Sequence, residues 1–231
     1  MEQFEDYQHV QGIAKKVHSR LGRFITAEST EQSIARKAAE LLADFGAPDT
    51  WYHDVPAFVL LGCRSCLSIS GKDYISATEP VGEVNLVTVD LSPRIGNAWG
   101  DCARSYVVEE GIVAHYPARR EFSEGLAIQR QLHNDMIEFA TTDTRFSDLF
   151  EYGNARIRQY GYENLDFLQN LGHSIEIQPS DRRFIDRNCH EKLGSVRFFT
   201  FEPHIRKTGQ NWGFKHEDIY YFDDHGCAVA L

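Results

Sequence analysis

Residues 84–91 read Val-Asn-Leu-Val-Thr-Val-Asp-Leu, and residues 196–202 read Val-Arg-Phe-Phe-Thr-Phe-Glu. The first run is almost continuously apolar, so it reads as a strand buried on both faces. Each run closes on an acid, Asp90 or Glu202. Each is followed by a second acid at the head of the next strand candidate: Asp101 before Cys102–Glu109, and Glu217 before Asp218–Phe222. If each pair of strands is an antiparallel hairpin, its two acids lie close together near the turn. Period-two alternation puts Asp90 on the face of Leu86 and Thr88, and Glu202 on the face of Phe198 and Thr200. Four carboxylates then meet inside the fold.

The flanking sequence repeats the same plan. Val10, Ile13, Val17 and Leu21 give residues 5–22 a helical spacing. Ser29-Thr30-Glu31-Gln32 offers a capping box to a second helix, with Ile34, Ala38, Leu41, Leu42 and Phe45 as its apolar stripe and Gly46 as its stop. A strand over Ala57–Leu61 follows. Downstream, a helix is expected from about Glu121 to Ala140 and another over Phe146–Tyr160, stopped by Gly161. Each half therefore reads helices, a glycine stop, an irregular stretch and two strands. The expectation is one α+β domain built from a duplicated unit.

The chain has 231 residues, with 24 Lys+Arg against 34 Asp+Glu and a net charge of −10. This acidic balance argues against nucleic acid as a partner, which requires clustered Lys and Arg. The best apolar run, Val55–Cys63, contains Pro56 and is far short of the roughly 20 residues that span a membrane. The start, Met-Glu-Gln-Phe-Glu-Asp, has neither the basic flank nor the apolar stretch of a secretory signal. Five cysteines, Cys63, Cys66, Cys102, Cys189 and Cys227, suggest reduced thiols and a cytoplasmic location. The Cys63–Cys66 pair lacks the second pair or histidines of a zinc site and reads as packing, with a redox pair as the alternative.

Four buried carboxylates repel one another and are costly to desolvate. Protonation, Arg or Lys partners, or metal ions would each compensate them. Gly172-His173-Ser174 supplies a candidate nitrogen ligand in a glycine-flanked loop, and a nitrogen beside carboxylates points to a transition metal.

The chain resembles the metallo-aminopeptidase family with the pita-bread fold: methionine aminopeptidase, aminopeptidase P, prolidase and creatinase. The motifs are Val87-Thr88-Val89-Asp90, Trp99-Gly100-Asp101-Cys102-Ala103-Arg104-Ser105, Leu171-Gly172-His173-Ser174-Ile175, Phe199-Thr200-Phe201-Glu202-Pro203-His204-Ile205 and His216-Glu217-Asp218-Ile219. All five stand in the family's order. The resemblance implies a pita-bread domain with internal pseudo-twofold symmetry over residues 24–231, preceded by a helical extension over residues 1–23. It implies two divalent ions (Mn, Fe, Co or Zn), with Asp90 on one, His173 and Glu202 on the other, and Asp101 and Glu217 bridging. Glu202 would also take a proton from the attacking water. The substrate would be a small peptide or another small molecule with a free amine, and a homodimer is a candidate assembly.

The chain departs from the family at two further histidines that are not ligands. The interval from Ala57 to Val89 holds no histidine, and Ser68, Lys72 or a neighbour occupies that place. Seven residues after His173, the other position is Ser180. His204, two residues past Glu202, is a candidate catalytic residue. Lys72, Ser180, Arg182 and Trp99 are candidate substrate contacts, and Arg104 a candidate support for a ligand carboxylate. The leading expectation is a metal-dependent hydrolase. Its rivals are a same-fold enzyme acting on a C–N bond of a small metabolite, and an inactive pita-bread binding module.

Overall fold

The computed structural model describes residues 2–231. The first half opens with α1 (Glu2–Phe24) and α2 (Glu31–Asp44). α1 buries Val10, Ile13, Ala14, Val17 and Leu21, the positions spaced by three and four. α2 begins at Thr30, whose Oγ1 accepts from Ser33 N (3.0 Å) while Ser33 Oγ accepts from Thr30 N (2.8 Å). Ser33 thus closes the capping box. Glu31 is fully buried and accepts hydrogen bonds from Leu61 N (2.9 Å), Ala77 N (2.8 Å) and Arg64 Nε (2.8 Å). It ties the connection between residues 61 and 77 to the helix. Gly46 ends the helix at φ +92°, a conformation that costs a residue with a side chain.

Seven strands complete this half: β1 (Asp49–Thr50), β2 (Ala57–Leu61), β3 (Asn85–Leu91), β4 (Pro93–Ile95), β5 (Ala98–Trp99), β6 (Cys102–Glu109) and β7 (Ile112–Val113). An antiparallel sheet runs β2-β3-β6-β7, with Asp90 opposite Ala103 and Leu91 opposite Cys102. The expected tight hairpin is instead interrupted. β4 and β5 form a small hairpin of their own inside the β3–β6 connection.

The second half repeats this plan. After α3 (Arg120–Phe139) and α4 (Phe146–Gln159) come β8 (Tyr162–Asn164), β9 (Phe199–Phe201), β10 (His204–Lys207), β11 (Gly213–Lys215), β12 (Asp218–Phe222) and β13 (Ala228–Ala230). β9 and β12 pair antiparallel, with Phe201 opposite Asp218, and the β10–β11 hairpin is inserted between them. The strand expected over 196–202 shortens to three residues. Leu193–Ser195 forms a 3-10 turn before it, and Pro203 has no amide with which to extend it.

The two ladders meet at one backbone bridge, where Glu217 N donates to Ala103 O at 3.0 Å. One apolar cluster fills the first half, around Val17, Leu42 and Val89. A second fills the other half, around Phe146, Leu171 and Phe201. A third joins Val10 of α1 to Trp99, Ile175, Phe198 and Ile219. Burying a side chain such as Phe198 contributes about 1.5–3 kcal/mol. No helix among the described residues is long and apolar enough to cross a membrane.

Candidate metal centre

Each ligand candidate is placed by backbone pairing. Asp90 is the penultimate residue of β3 and Asp101 precedes β6, so the β3–β6 ladder carries both at one end. α1 fixes Asp101 through a reciprocal amide clamp: Gln11 Nε2 donates to Asp101 O (2.8 Å), and Asp101 N donates to Gln11 Oε1 (3.0 Å). His173 lies in a segment running along β9, where Thr200 N donates to His173 O (2.7 Å) and Glu202 N to Leu171 O (2.9 Å). That close approach requires Gly172. Its φ is +137°, and an added Cβ would lie 2.3 Å from Thr200 O. His173 Nδ1 donates to Ser174 O (3.0 Å), which leaves Nε2 as a free lone pair aimed at Asp101 Oδ2 (3.4 Å) and Glu202 Oε1 (3.8 Å).

Asp101, His173 and Glu217 are all buried, and each offers a ligand atom within 4.8 Å of the others. Neither oxygen of Glu217 has a hydrogen-bond partner, although the side chain is only 1% exposed. An orphaned buried carboxylate is costly. A divalent ion at this corner compensates it, and imidazole with carboxylates suits Mn, Fe, Co or Zn. The residues at this corner therefore fit one ion.

Lys215, which the sequence reading passes over, stands among the acids. Its Nζ lies 2.6 Å from Asp90 Oδ2, 3.0 Å from Glu202 Oε2 and 3.8 Å from Glu217 Oε2. The signal was present. Two residues before Glu217, it falls on the same face by period-two alternation. Burial opposes the charge of Lys215, but Asp90, Glu202 and Glu217 more than reverse this and hold its pKa well above the usual lysine value. Burial pushes the carboxyl of Glu217 well up, reinforced by Asp101 and Glu202. Burial likewise raises Asp101 to about 6. Burial works against ionised Glu202 too, but Lys215 and then His173 overcome it and keep its pKa below the ordinary glutamate value.

The cluster lies in a cleft of about 370 Å³, lined by Trp51, Tyr52, His53, Phe58, Phe167 and Arg182 among others. Arg182 stacks over Trp51 at 4.8 Å, and its Nη1 lies 3.5 Å from His173 Nε2. His53 and its neighbour Asp54 both hold left-handed backbone (φ +47° and +58°), a strained pair at the cleft edge. The histidine-free interval began just beyond His53, so the sequence reading missed it.

The other sequence candidates divide. His204 lines the cleft with Nε2 donating to Ser65 O (2.6 Å), and burial lowers its pKa to about 4, so at neutral pH the ring is uncharged. Trp99 is fully buried behind His173, at 6.0 Å between rings, and donates to Glu176 O. Lys72 lies on a 3-10 turn (Gly71–Asp73), and Ser180 is exposed and donates to Asp181 Oδ1 (3.1 Å); neither is among the cleft-lining residues. Arg104 donates to Glu217 O (2.6 Å) and to the carboxylate of Asp218 (2.8 Å). Its support thus reaches the Glu217 backbone and a neighbouring acid, not the ligand carboxylate.

Two antiparallel ladders carry acids and an imidazole to one cleft in a fold of mixed helix and sheet. The chain belongs to metallopeptidase family M24, which matches it over residues 5–224. Solved structures agree on the fold. An X-Pro aminopeptidase from Thermotoga maritima is 20% identical, with a TM-score of 0.81 over 98% of this chain and 60% of its own. A prolidase from Pyrococcus furiosus is 21% identical, with a TM-score of 0.81 over 99% of this chain and 63% of its own. A dipeptidase from Pyrococcus horikoshii OT3 is 16% identical, with a TM-score of 0.82 over 99% of this chain and 59% of its own. The chain thus spans about three fifths of the length of these structures. No curated protein is a significant match in sequence. The expected pita-bread fold is borne out.

Proposed function

We propose that the chain is a metal-dependent hydrolase of short peptides or small amides with a free amine. The observation that carries this reading is the convergence of Asp101, His173 and the Glu217 carboxylate, which accepts no hydrogen bond, beside a cleft that Asp101 and His173 line. When bound there, a divalent ion supplies Lewis acidity, polarising a carbonyl and acidifying water. Glu202, kept ionised by Lys215, is the group that accepts a proton. Arg182 lines the same cleft, with Nη1 3.5 Å from His173 Nε2. It thereby serves as a hydrogen-bond donor to the developing oxyanion, the duty the resemblance gives to a histidine at position 180. The acids and Asp166 make one side of the cleft attractive to an amine.

The test is hydrolysis of a dipeptide panel, proline-containing members included, by the stripped chain reloaded with Mn²⁺. Glu202→Gln should abolish turnover with the circular dichroism spectrum unchanged; full activity in that variant would sink the proposal. Arg182→Gln should lower kcat by about 10²–10³ with a smaller change in KM. A change confined to KM would instead assign Arg182 to anchoring a substrate carboxylate.

A further inference from the structure

The chain supplies a cation of its own to the acids that the resemblance gives to metal. Lys215 closes β11, and its backbone is locked to β6: Lys215 N donates to Ser105 Oγ, and Ser105 Oγ donates to Lys215 O, both at 2.9 Å. The side chain is 20% exposed and its ammonium is bonded to Asp90 and Glu202. This lysine is built into the site. The counterpart position in the first half, two residues before Asp101, holds the fully buried indole of Trp99. Only the second half contributes a cation there.

The ligands divide accordingly. Asp101, His173 and Glu217 form one corner, with Glu202 Oε1 adjoining it at 3.8 Å from His173 Nε2. Asp90 and the other Glu202 oxygen face Lys215 at 2.6 and 3.0 Å, and Glu217 Oε2 lies further from the ammonium, at 3.8 Å. A second divalent ion on Asp90 would have to expel the ammonium from its two nearest partners or sit beside it as a like charge.

We propose that Lys215 stands in for the second ion: the centre holds one divalent ion, at Asp101, His173 and Glu217, and a tethered ammonium holds Asp90 and Glu202. The inference rests on the metal-dependent reading above. It differs from the two-ion site that the resemblance implies.

The experiment is Mn²⁺ titration of the stripped chain, with bound ions counted by native mass spectrometry and their coupling read by electron paramagnetic resonance. Wild type should bind one Mn²⁺ with the spectrum of an isolated ion. Lys215→Arg should stay at one. Lys215→Met should bind two and show an exchange-coupled pair. Asp101→Asn should lose the ion. Asp90→Asn should keep it, with affinity within about threefold, because Asp90 is no ligand in this arrangement. Two coupled ions in wild type would overturn the inference and leave the metal-dependent reading standing. So would a folded Lys215→Met protein that binds one ion, or loss of the ion in Asp90→Asn. If Lys215→Met fails to fold, Asp90→Asn decides alone. No Mn²⁺ in wild type would overturn both readings.

Discussion

Single residues would set how strongly the proposed centre grips an ion. Burial raises the pKa of Asp101 to about 6 and holds Glu217 well above an ordinary glutamate. Metal ligands must be deprotonated, so binding at or below about pH 6 has to expel these protons. Mn²⁺ affinity should therefore fall as pH drops from 7 to 5. Calorimetry in buffers of different ionisation enthalpy should show proton release at pH 5.5; a flat affinity across this range would contradict the burial argument. Gly172→Ala should cost about 2–4 kcal/mol in denaturant melts, because it adds a left-handed side chain and a clash with Thr200 O. The clustering of the acids is legible in the sequence, since an acid at the end of an apolar strand run has few ordinary reasons to be there. For Lys215 only its shared face with Glu217 is legible; its pairing with Asp90 is not. It meets Asp90 across 125 residues of chain, a pairing that only the assembled sheets create.

At the scale of elements, α1 does more than cover the first sheet. Gln11 satisfies both backbone groups of Asp101, and His18 Nε2 bonds to Cys102 O at 2.9 Å, so two turns of one helix hold the start of β6. Gln11→Ala leaves a buried N–H and C=O without partners. It should cost about 2–4 kcal/mol and weaken Mn²⁺ binding about 10–100-fold, measurable by thermal melts and titration. A variant with wild-type affinity would show that the strand holds its place without the helix. The long elements were readable to within three residues at each end, because apolar spacing and glycine stops are local signals. β10, β11 and β8 were not. Strands of three or four residues owe their existence to partners far away in sequence, and neither composition nor alternation marks them.

For the whole molecule, acid sensitivity traces to histidines buried in their neutral form. Burial lowers His18 and His133 to about 3, against 6.5 for the free side chain. Because the unfolded chain binds these protons and the folded one does not, their contribution is complete above about pH 6.5. It is lost as pH falls toward 3, by up to about 1.4 kcal/mol per pH unit for each. Asp101 acts in the opposite sense: its contribution is complete below about pH 4 and is lost as pH rises through 6. His133→Gln isolates the histidine effect. Its melting temperature should decline less than that of wild type between pH 6.5 and 5, and an unchanged slope would assign acid sensitivity elsewhere.

The joint between the two ladders has one more consequence. The amide of Glu217 donates across it to Ala103, while its carboxylate faces the metal corner. Occupancy and cohesion of the two halves are thus read by one peptide group. In deuterium exchange, that amide should be an internal gauge: its protection should rise with added Mn²⁺ more than that of amides deep in β3, which pair within their own ladder regardless of what the cleft holds.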